Sequence, residues 1–166
     1  MERVIIIGCG GAGKSTLARQ LGEKTGLPVV HLDQLFWKPG WVESTKEEID
    51  EKIRREMENP QWIMDGNYNR TMARRMERCD TVIYLDFNTS ACVMGVLKRI
   101  VTNYGTVRPD MGEGCPERFD WEFLLWVIHY NKKHRERNYG LLKSAEGKNV
   151  IILRNRREVK AFLNSL

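Results

Sequence analysis

The sequence predicts an α/β fold in which a five-stranded parallel sheet lies between two layers of helices. Short apolar runs rich in β-branched residues, such as Val4–Ile7, alternate along the chain with segments of helical periodicity. This alternation requires crossover connections, which are right-handed and cover both faces of a parallel sheet. The 166 residues, of which 42% are hydrophobic and 30% charged, suffice for one domain with a core. With no repeat or linker in the pattern, we expect a single domain over residues 1–166.

Each predicted element has its own boundary signals. The predicted strands are residues 4–7, 28–33, 61–65, 81–86 and 149–153. Helices are predicted at residues 14–24, 71–78, 120–137 and 159–166, and in the two segments that follow Ser44 and Ser90. A capping box of Ser44 with Glu47 is expected to begin one of these helices, and Ser90 is expected to cap the other. Residues 105–118 are rich in glycine and lack periodicity, so they are expected to form an exposed loop.

Composition excludes several classes of protein. The longest apolar runs, Val4–Ile7 and Phe123–Ile128, are far shorter than the roughly 20 residues that a membrane-spanning helix needs. Gly8 and Lys14 interrupt the apolar stretch that a signal peptide would require. The four cysteines contain no C-x-x-C pair and the three histidines form no metal-binding set, so we expect free thiols. These features predict a cytoplasmic protein that does not associate with membranes.

The strongest motif is a glycine-rich loop between the first predicted strand and the first predicted helix. Residues 8–15, Gly-Cys-Gly-Gly-Ala-Gly-Lys-Ser, fit the pattern G-x-x-x-x-G-K-[ST]. Such a backbone points successive N–H groups at phosphate oxygens, and the helix N-terminus adds its positive end. Lys14 can bridge the β- and γ-phosphates, and the Ser15 hydroxyl can bind Mg²⁺. The alternative, a chance glycine-rich turn, does not account for the flanking strand and helix. The predicted nucleotide-binding residues are Gly8, Gly10, Gly11, Ala12, Gly13, Lys14, Ser15 and Thr16.

Three features favour the small, nucleotide-kinase-like branch of these P-loop proteins. Asp65 ends the third predicted strand, where its carboxylate can help to hold Mg²⁺. The arginine-bearing region 99–118 follows the fourth strand, where a lid over the phosphates is expected. The insertion at residues 35–58 between the second and third strands is suited to grip an acceptor. The N-K-x-D motif of switch GTPases does not occur in the sequence.

The acceptor is expected beyond the second strand. Ligands of parallel sheets gather beyond the carboxyl ends of the strands, so Asp33 is predicted to accept a proton from, or orient, an acceptor hydroxyl. The alternative role for Asp33 is that of a helix cap or turn residue. Trp37 and Trp41 can form a wall that stacks on a base, or they can pack the insertion against the sheet. Arg54 and Arg70 are predicted to lie beside the acceptor.

Basic residues are concentrated in the second half of the chain. Residues 87–166 carry 14 Lys and Arg against 8 Asp and Glu, and the whole chain has a net charge of +5. This excess favours an anionic partner, either nucleotide phosphates or a nucleic-acid backbone. Arg99 and Arg118 are the strongest candidates for contacting the transferred phosphoryl group, and an ordinary surface charge is the alternative for each. Weaker candidates are Arg108, Arg135 and Arg137.

The chain resembles the adenylate-kinase-like P-loop kinases and, more closely, the small bacterial DNA topology modulation proteins. The matching segments are residues 8–16, 31–33, 37–41, 62–68 and 80–86. The resemblance implies that Lys14 and the backbone of residues 10–16 hold the phosphates of ATP, while Ser15 and Asp65 organise Mg²⁺. Arg99 resembles the lid entry of those kinases, and Arg118 the lid exit.

Together these observations predict a kinase that uses ATP and Mg²⁺ to phosphorylate a small acceptor such as a nucleoside or nucleotide. One alternative is an ATP-dependent, nucleic-acid-associated regulator of DNA topology with little or no kinase activity. The basic second half favours this alternative, whereas the lack of a helix-turn-helix, zinc-finger or RNP motif disfavours it. Another alternative is an interaction module that binds ATP without turning it over.

Overall fold

The computed structural model describes all 166 residues and contains a five-stranded parallel sheet. The strands are β1 (Arg3–Gly8), β2 (Val29–His31), β3 (Trp37–Lys38), β4 (Val42–Glu43), β5 (Trp62–Asp65), β6 (Thr81–Leu85) and β7 (Asn149–Leu153). The sheet has the order β2-β5-β1-β6-β7, and β3 pairs with β4 in a separate antiparallel hairpin. Strand β1 is central, so the loop that follows it lies at the middle of the sheet's carboxyl edge.

Helices cover both faces of this sheet. They are α1 (Lys14–Thr25), α2 (Leu32–Phe36), α3 (Lys46–Glu56), α4 (Asn69–Arg78), α5 (Thr89–Asn103), α6 (Trp121–Lys143) and α7 (Arg156–Asn164). Strand β1 alternates between two cores: Val4 and Ile6 pack in the cluster with α1, α5 and α7, whereas Ile5 and Ile7 pack in the cluster with α3 and α4. The predicted three-layer α/β/α P-loop fold with five parallel strands is therefore confirmed.

Two of the predicted helix caps are wrong by one or two residues. Thr45, not Ser44, forms the capping box of α3, and its partner is Glu48 rather than Glu47. Ser44 is buried, and its hydroxyl already donates a hydrogen bond to the carbonyl oxygen of Leu35 at 3.2 Å. Helix α5 is capped by Asn88, whose side chain accepts from the N–H of Ala91 at 2.8 Å. The Ser90 hydroxyl donates to the Asn88 carboxamide instead.

The second strand is shorter than predicted. Its pairing with β5 ends at His31, opposite Asp65, and the chain turns at once into the short helix α2. Asp33 therefore lies in the first turn of a helix and not in a strand. Helix α6 runs six residues beyond the predicted end at residue 137.

The loop at residues 105–118 is not simply exposed. Met111, Cys115 and Glu117 are buried, and the loop lies against the β3–β4 hairpin. A side chain at Gly112 would place a Cβ only 2.2 Å from the carbonyl oxygen of Trp37, so the two backbones are in direct contact. All four cysteines are free and buried, and none of the helices is both long and apolar enough to span a bilayer.

Candidate active site

The glycine-rich loop joins β1 to α1 and is pressed against α5. Gly11 has φ +78°, and a Cβ there would lie 2.2 Å from the carbonyl oxygen of Cys92 in α5. Only glycine satisfies both conditions, because it tolerates positive φ and needs no side-chain space. The Lys14 ammonium folds back over the loop and donates to the carbonyl oxygens of Gly8 and Cys9, each at 3.0 Å. Helix α1 begins at Lys14, so its free N–H groups face the same space.

Ser15 and Asp65 meet at the base of this loop. The Ser15 hydroxyl donates to Asp65 Oδ2 at 2.8 Å, and the other carboxylate oxygen is hydrogen-bonded to His31 Nδ1. Asp65 and His31 are both buried. Burial alone would lower the pKa of His31, but the hydrogen bond and charge of Asp65 outweigh it and raise that pKa. An imidazole held in this way fixes the orientation of the carboxylate.

The pair formed by Ser15 and Asp65 fits a magnesium ion. Mg²⁺ prefers hard oxygen ligands and keeps several waters, so it needs only one or two protein oxygens beside the phosphates of a nucleotide. Ser15 Oγ and Asp65 Oδ2 are two such oxygens, 2.8 Å apart. No group of three or more His, Cys, Asp and Glu side chains is arranged to hold a metal ion.

Asp33 lies across the cavity from the P-loop and is held by Tyr68. The Tyr68 hydroxyl donates to Asp33 Oδ1 at 2.7 Å. Asp33 is partly exposed to the cavity, but desolvation at this depth raises its pKa, and the bond from Tyr68 offsets only part of that effect. Tyr68 has φ +24°, an unusual backbone conformation for an aromatic residue.

A buried arginine supports the turn that carries Tyr68. The Arg75 guanidinium, fully inaccessible to solvent, donates to the carbonyl oxygens of Gly66, Asn67 and Tyr68 at 3.0, 2.7 and 3.0 Å. Burial lowers the pKa of Arg75 to about 10. The Asn67 side chain in turn bridges the N–H and carbonyl oxygen of Gly8, at 3.1 and 3.0 Å. The turn after β5 is thus tied directly to the start of the P-loop.

Two adjacent cavities open at this edge of the sheet. The first, about 450 Å³, is lined by the P-loop together with Lys14, Ser15, Asp65 and a ring of basic side chains. The second, about 260 Å³, is lined by the β3–β4 hairpin and the 105–118 loop. Both cavities are lined by Asp33, Tyr68, Arg99, Arg108 and Phe123. A group at the end of the first cavity is therefore in reach of one bound in the second.

Most lid arginines are held by acidic partners. Glu117 Oε2 lies 3.0 Å from Arg99 Nε and 2.8 Å from Arg108 Nε, and Arg108 also contacts Asp110 at 2.7 Å. Burial lowers the pKa of Arg99. Arg118 is more exposed and lines only the second cavity, where its guanidinium lies 4.9 Å from the centre of a Trp41 ring. Of the predicted pair, Arg99 therefore lines both cavities and Arg118 only the second.

The two tryptophans of the hairpin line the second cavity, and they also pack the insertion. The Trp37 and Trp41 rings lie 5.3 Å apart in an edge-to-face arrangement. Trp41 has φ +64°, a strained conformation for a bulky residue, and its indole N–H donates to the carbonyl oxygen of Pro116 at 3.2 Å. Both predicted alternatives for these residues are thus compatible with the geometry.

Two predicted acceptor-site residues lie outside both cavities. Arg54 is on the outer face of α3, where its guanidinium pairs with Glu51 and Glu58. Arg70 is also exposed, and its Nε contacts Asp50 at 2.8 Å. Neighbouring carboxylates on the protein surface engage both side chains, so the structure does not bring them to either cavity, and their contact with an acceptor stays a prediction. The weaker candidates Arg135 and Arg137 are likewise absent from the cavity walls, and Arg135 pairs with buried Asp86 at 2.8 Å.

Several residues that line the first cavity were not among the predicted site residues. The first cavity is also lined by Arg19, Asn67, Tyr68, Asn103 and Arg156. Asn67 and Tyr68 directly follow Asp65-Gly66, so their position after a strand end was a usable signal. Arg19 and Arg156 belong to no recognisable sequence motif. They reach the cavity from one turn inside α1 and from the start of α7.

Known proteins are similar to this chain in sequence and in fold. Adenylate kinases from Thermotoga neapolitana and Thermotoga maritima are each 31% identical to it over 80 residues, which are 48% of this chain and 36% of theirs. The match thus spans about a third of the length of these curated relatives. A crystal structure of shikimate kinase from Bacteroides thetaiotaomicron aligns with a TM-score of 0.56 and 17% identity over 99% of this chain and 95% of that one.

These similarities confirm the resemblance to kinases of the P-loop class, while the narrower one to DNA topology modulation proteins stays a prediction. The shikimate kinase match concerns the fold alone. The family match starts in β1 and continues into α5, so it includes the P-loop and Asp65. Residues 4–93 match the AAA domain family. Because these residues make up more than half of this chain, the chain belongs to that family.

Proposed function

We propose that this protein is an ATP-dependent phosphotransferase that moves the γ-phosphoryl group of ATP to a hydroxyl of a small acceptor. The observation that carries the proposal is that Asp33 lines both cavities. On one side it faces the space of the P-loop, with Lys14 and the Ser15–Asp65 pair. On the other side it faces the aromatic second cavity. A carboxylate at the junction of a phosphate site and a second ligand site has the position of a general base.

In this proposal the donor binds first to rigid backbone. The N–H groups of residues 10–16 and the N-terminus of α1 hold the β- and γ-phosphates, and Lys14 exchanges its contacts with two loop carbonyls for contacts with phosphate oxygens. Mg²⁺ held by Ser15 and Asp65 would supply positive charge at the same oxygens. His31 keeps the Asp65 carboxylate oriented throughout.

Transfer then needs alignment and charge. The acceptor hydroxyl attacks the γ-phosphorus while the bond to the β–γ bridging oxygen breaks, and the electron pair of that bond leaves with ADP. Asp33 takes the hydroxyl proton. The 2.7 Å hydrogen bond from the Tyr68 hydroxyl fixes the position of the Asp33 carboxylate. The raised pKa of Asp33 makes this carboxylate a better base than an exposed aspartate. Lys14, Arg19 and Arg156, which line the first cavity only, stabilise charge on the phosphoryl oxygens.

The proposal is tested by ADP release in the presence of a panel of small alcohols. At least one acceptor should raise ADP release well above the ATPase background. Lys14→Ala should weaken ATP binding in calorimetry by roughly 10- to 100-fold, the usual value of hydrogen bonds to a charged group. Lys24→Ala, at an exposed position in the last turn of α1, is the matched control. If no alcohol in a broad panel raises turnover, the chain is not a phosphotransferase.

A nucleic-acid-associated regulator is the second candidate, and the charge distribution favours it. After residue 86 basic side chains outnumber acidic ones, and only a few of these basic side chains line the first cavity. Binding to DNA through phosphate contacts would weaken by about 10³–10⁵-fold between 50 and 200 mM salt for 6–10 contacts. A chain that binds no DNA at low salt is not such a regulator.

A further inference from the structure

The two cavities differ in charge, and this difference bears on the acceptor. Five basic side chains line the first cavity, against the three carboxylates Asp33, Asp65 and Asp110. The second cavity is lined by three arginines and by the three carboxylates Asp33, Glu117 and Asp120. An excess of positive charge suits a polyphosphate, whereas a balanced wall offers no net attraction to an anion. The second cavity is therefore not built like a phosphate site.

The arginines of the second cavity are also already engaged. Glu117 is buried, and its Oε2 lies within 3.0 Å of Arg99 and 2.8 Å of Arg108, so one carboxylate lies between two guanidinium groups. Arg118 faces Asp120 at 3.9 Å and the ring of Trp41 at 4.9 Å. A bound phosphate needs forked guanidinium donors that are free to turn toward it. Here a phosphate would also have to approach the buried charge of Glu117.

The remaining wall is aromatic and fixed in position. Trp37, Trp41, Phe123 and Tyr68 line the second cavity. The strained backbone of Trp41, at φ +64°, is held by its indole hydrogen bond to Pro116 and by the hydrogen bond from the Gly40 N–H to the Gly114 carbonyl oxygen at 3.0 Å. Rigid aromatic faces bind flat rings well, because little side-chain entropy is lost when they stack.

From this wall we infer that the acceptor is a planar, heteroaromatic alcohol without a phosphate group, about the size of a nucleoside. The inference rests on the proposed function for the direction of transfer. The hydroxyl oxygen of the alcohol forms the new bond to the γ-phosphorus, the bond from that phosphorus to ADP breaks, and the hydroxyl proton passes to Asp33. The products are ADP and a phosphate monoester of the alcohol. A monoester in this charge-balanced cavity finds no excess of positive charge that would retain it.

The experiment compares the four ribonucleosides with their 5′-monophosphates by calorimetry, in the presence of Mg²⁺ and a non-hydrolysable ATP analogue. At least one nucleoside should bind, and its 5′-monophosphate should bind at least about tenfold more weakly, because its phosphate would leave water for a wall whose arginines are already paired with carboxylates. Equal or tighter binding of the monophosphate overturns the inference, and so does the absence of binding by every nucleoside.

Charge variants separate this proposal from a general loss of binding. Glu117→Gln removes the carboxylate that pairs with Arg99 and with Arg108, while Asp110 still pairs with Arg108. It should raise the affinity for the monophosphate relative to the nucleoside. Glu113→Gln, an exposed carboxylate on the same loop that lines neither cavity, should leave that ratio unchanged. If Glu117→Gln does not fold, Asp120→Asn frees Arg118 and keeps the cap of α6, and the ratio should shift in the same direction. An unchanged ratio in the folded variant overturns the inference.

The outcomes also distinguish this inference from the proposed function. Phosphoryl transfer from ATP to a nucleoside monophosphate, measured as ADP release, would keep the phosphotransferase and refute the uncharged acceptor. Nucleoside binding without any ADP release would keep the acceptor site and refute the phosphotransferase.

Discussion

The two cavities that meet at Asp33 are built from different parts of the chain. The first is centred on backbone: a loop between a central strand and a helix, in which Gly11 is packed so closely against α5 that a side chain is excluded. The second consists of side chains from the hairpin, the 105–118 loop, the turn at Tyr68 and three helices (α2, α5 and α6), which together span residues 33–123. A rigid backbone site suits a donor with an invariant triphosphate. A site made of side chains can be changed residue by residue without disturbing the sheet, so it is the part that sets specificity.

The largest expected effect separates chemistry from donor binding. Asp33→Asn keeps an oxygen that can accept the Tyr68 hydrogen bond but removes the base, so turnover should fall by roughly 10²–10⁴-fold. ATP binding should change little, because the donor is held by the P-loop. Steady-state kinetics and calorimetry on the same preparation measure both quantities. A variant that loses ATP affinity while its turnover per bound ATP is unchanged would show that Asp33 belongs to the donor site.

A second effect tests how rigid the backbone site is. In Gly11→Ala the new Cβ would lie 2.2 Å from the Cys92 carbonyl oxygen at a residue with φ +78°. We expect the free energy of unfolding to fall by about 3 kcal/mol, since both strain and overpacking contribute. Gly26→Ala is the matched control, because it has φ +73° but nothing within 4 Å. Its cost should be about 1 kcal/mol, from backbone strain alone. Equal costs in urea denaturation would mean that the loop can move away from α5.

The two cavities also differ in how much of each could be predicted from the sequence. The strands, the P-loop and the position of Asp65 were predicted because each has a local signal, such as an apolar run or a fixed glycine spacing. The pairing of Glu117 with Arg99 and Arg108 has no such signal, since it depends on how the 105–118 loop folds over α5. Thr45 replaced Ser44 as the cap because the Ser44 hydroxyl is engaged by Leu35, a contact that only the tertiary fold creates.

A smaller effect concerns the free energy of unfolding, which the buried charge of Asp33 lowers. Its folded pKa is raised, so above the ordinary aspartate pKa of about 4 the folded state holds the proton more tightly than the unfolded chain does. The free energy of unfolding therefore falls as the pH rises from that value through the folded pKa. Asp33→Asn should be more stable than the wild type at pH 7, and this gain should disappear toward pH 3.

Urea denaturation of both proteins at the two pH values measures the difference. Glu113→Gln, at an exposed position on the nearby loop, controls for the change in net charge. A stability gain for Asp33→Asn that is the same at both pH values would assign it to packing rather than to the buried charge.

The smallest effect is expected at the two arginines that sequence reasoning assigned to the acceptor. Arg54 pairs with Glu51 and Glu58 on the outer face of α3, and Arg70 pairs with Asp50. Neither lines a cavity, so Arg54→Ala and Arg70→Ala should each leave kcat and KM for the acceptor within about twofold, as is usual for exposed ion pairs. Arg108→Ala, at the junction of the two cavities, is the contrasting variant and should lower turnover. If KM for the acceptor rises sharply in either surface variant while that of Arg108→Ala is unchanged, the acceptor binds over α3 and α4 and not against the hairpin tryptophans.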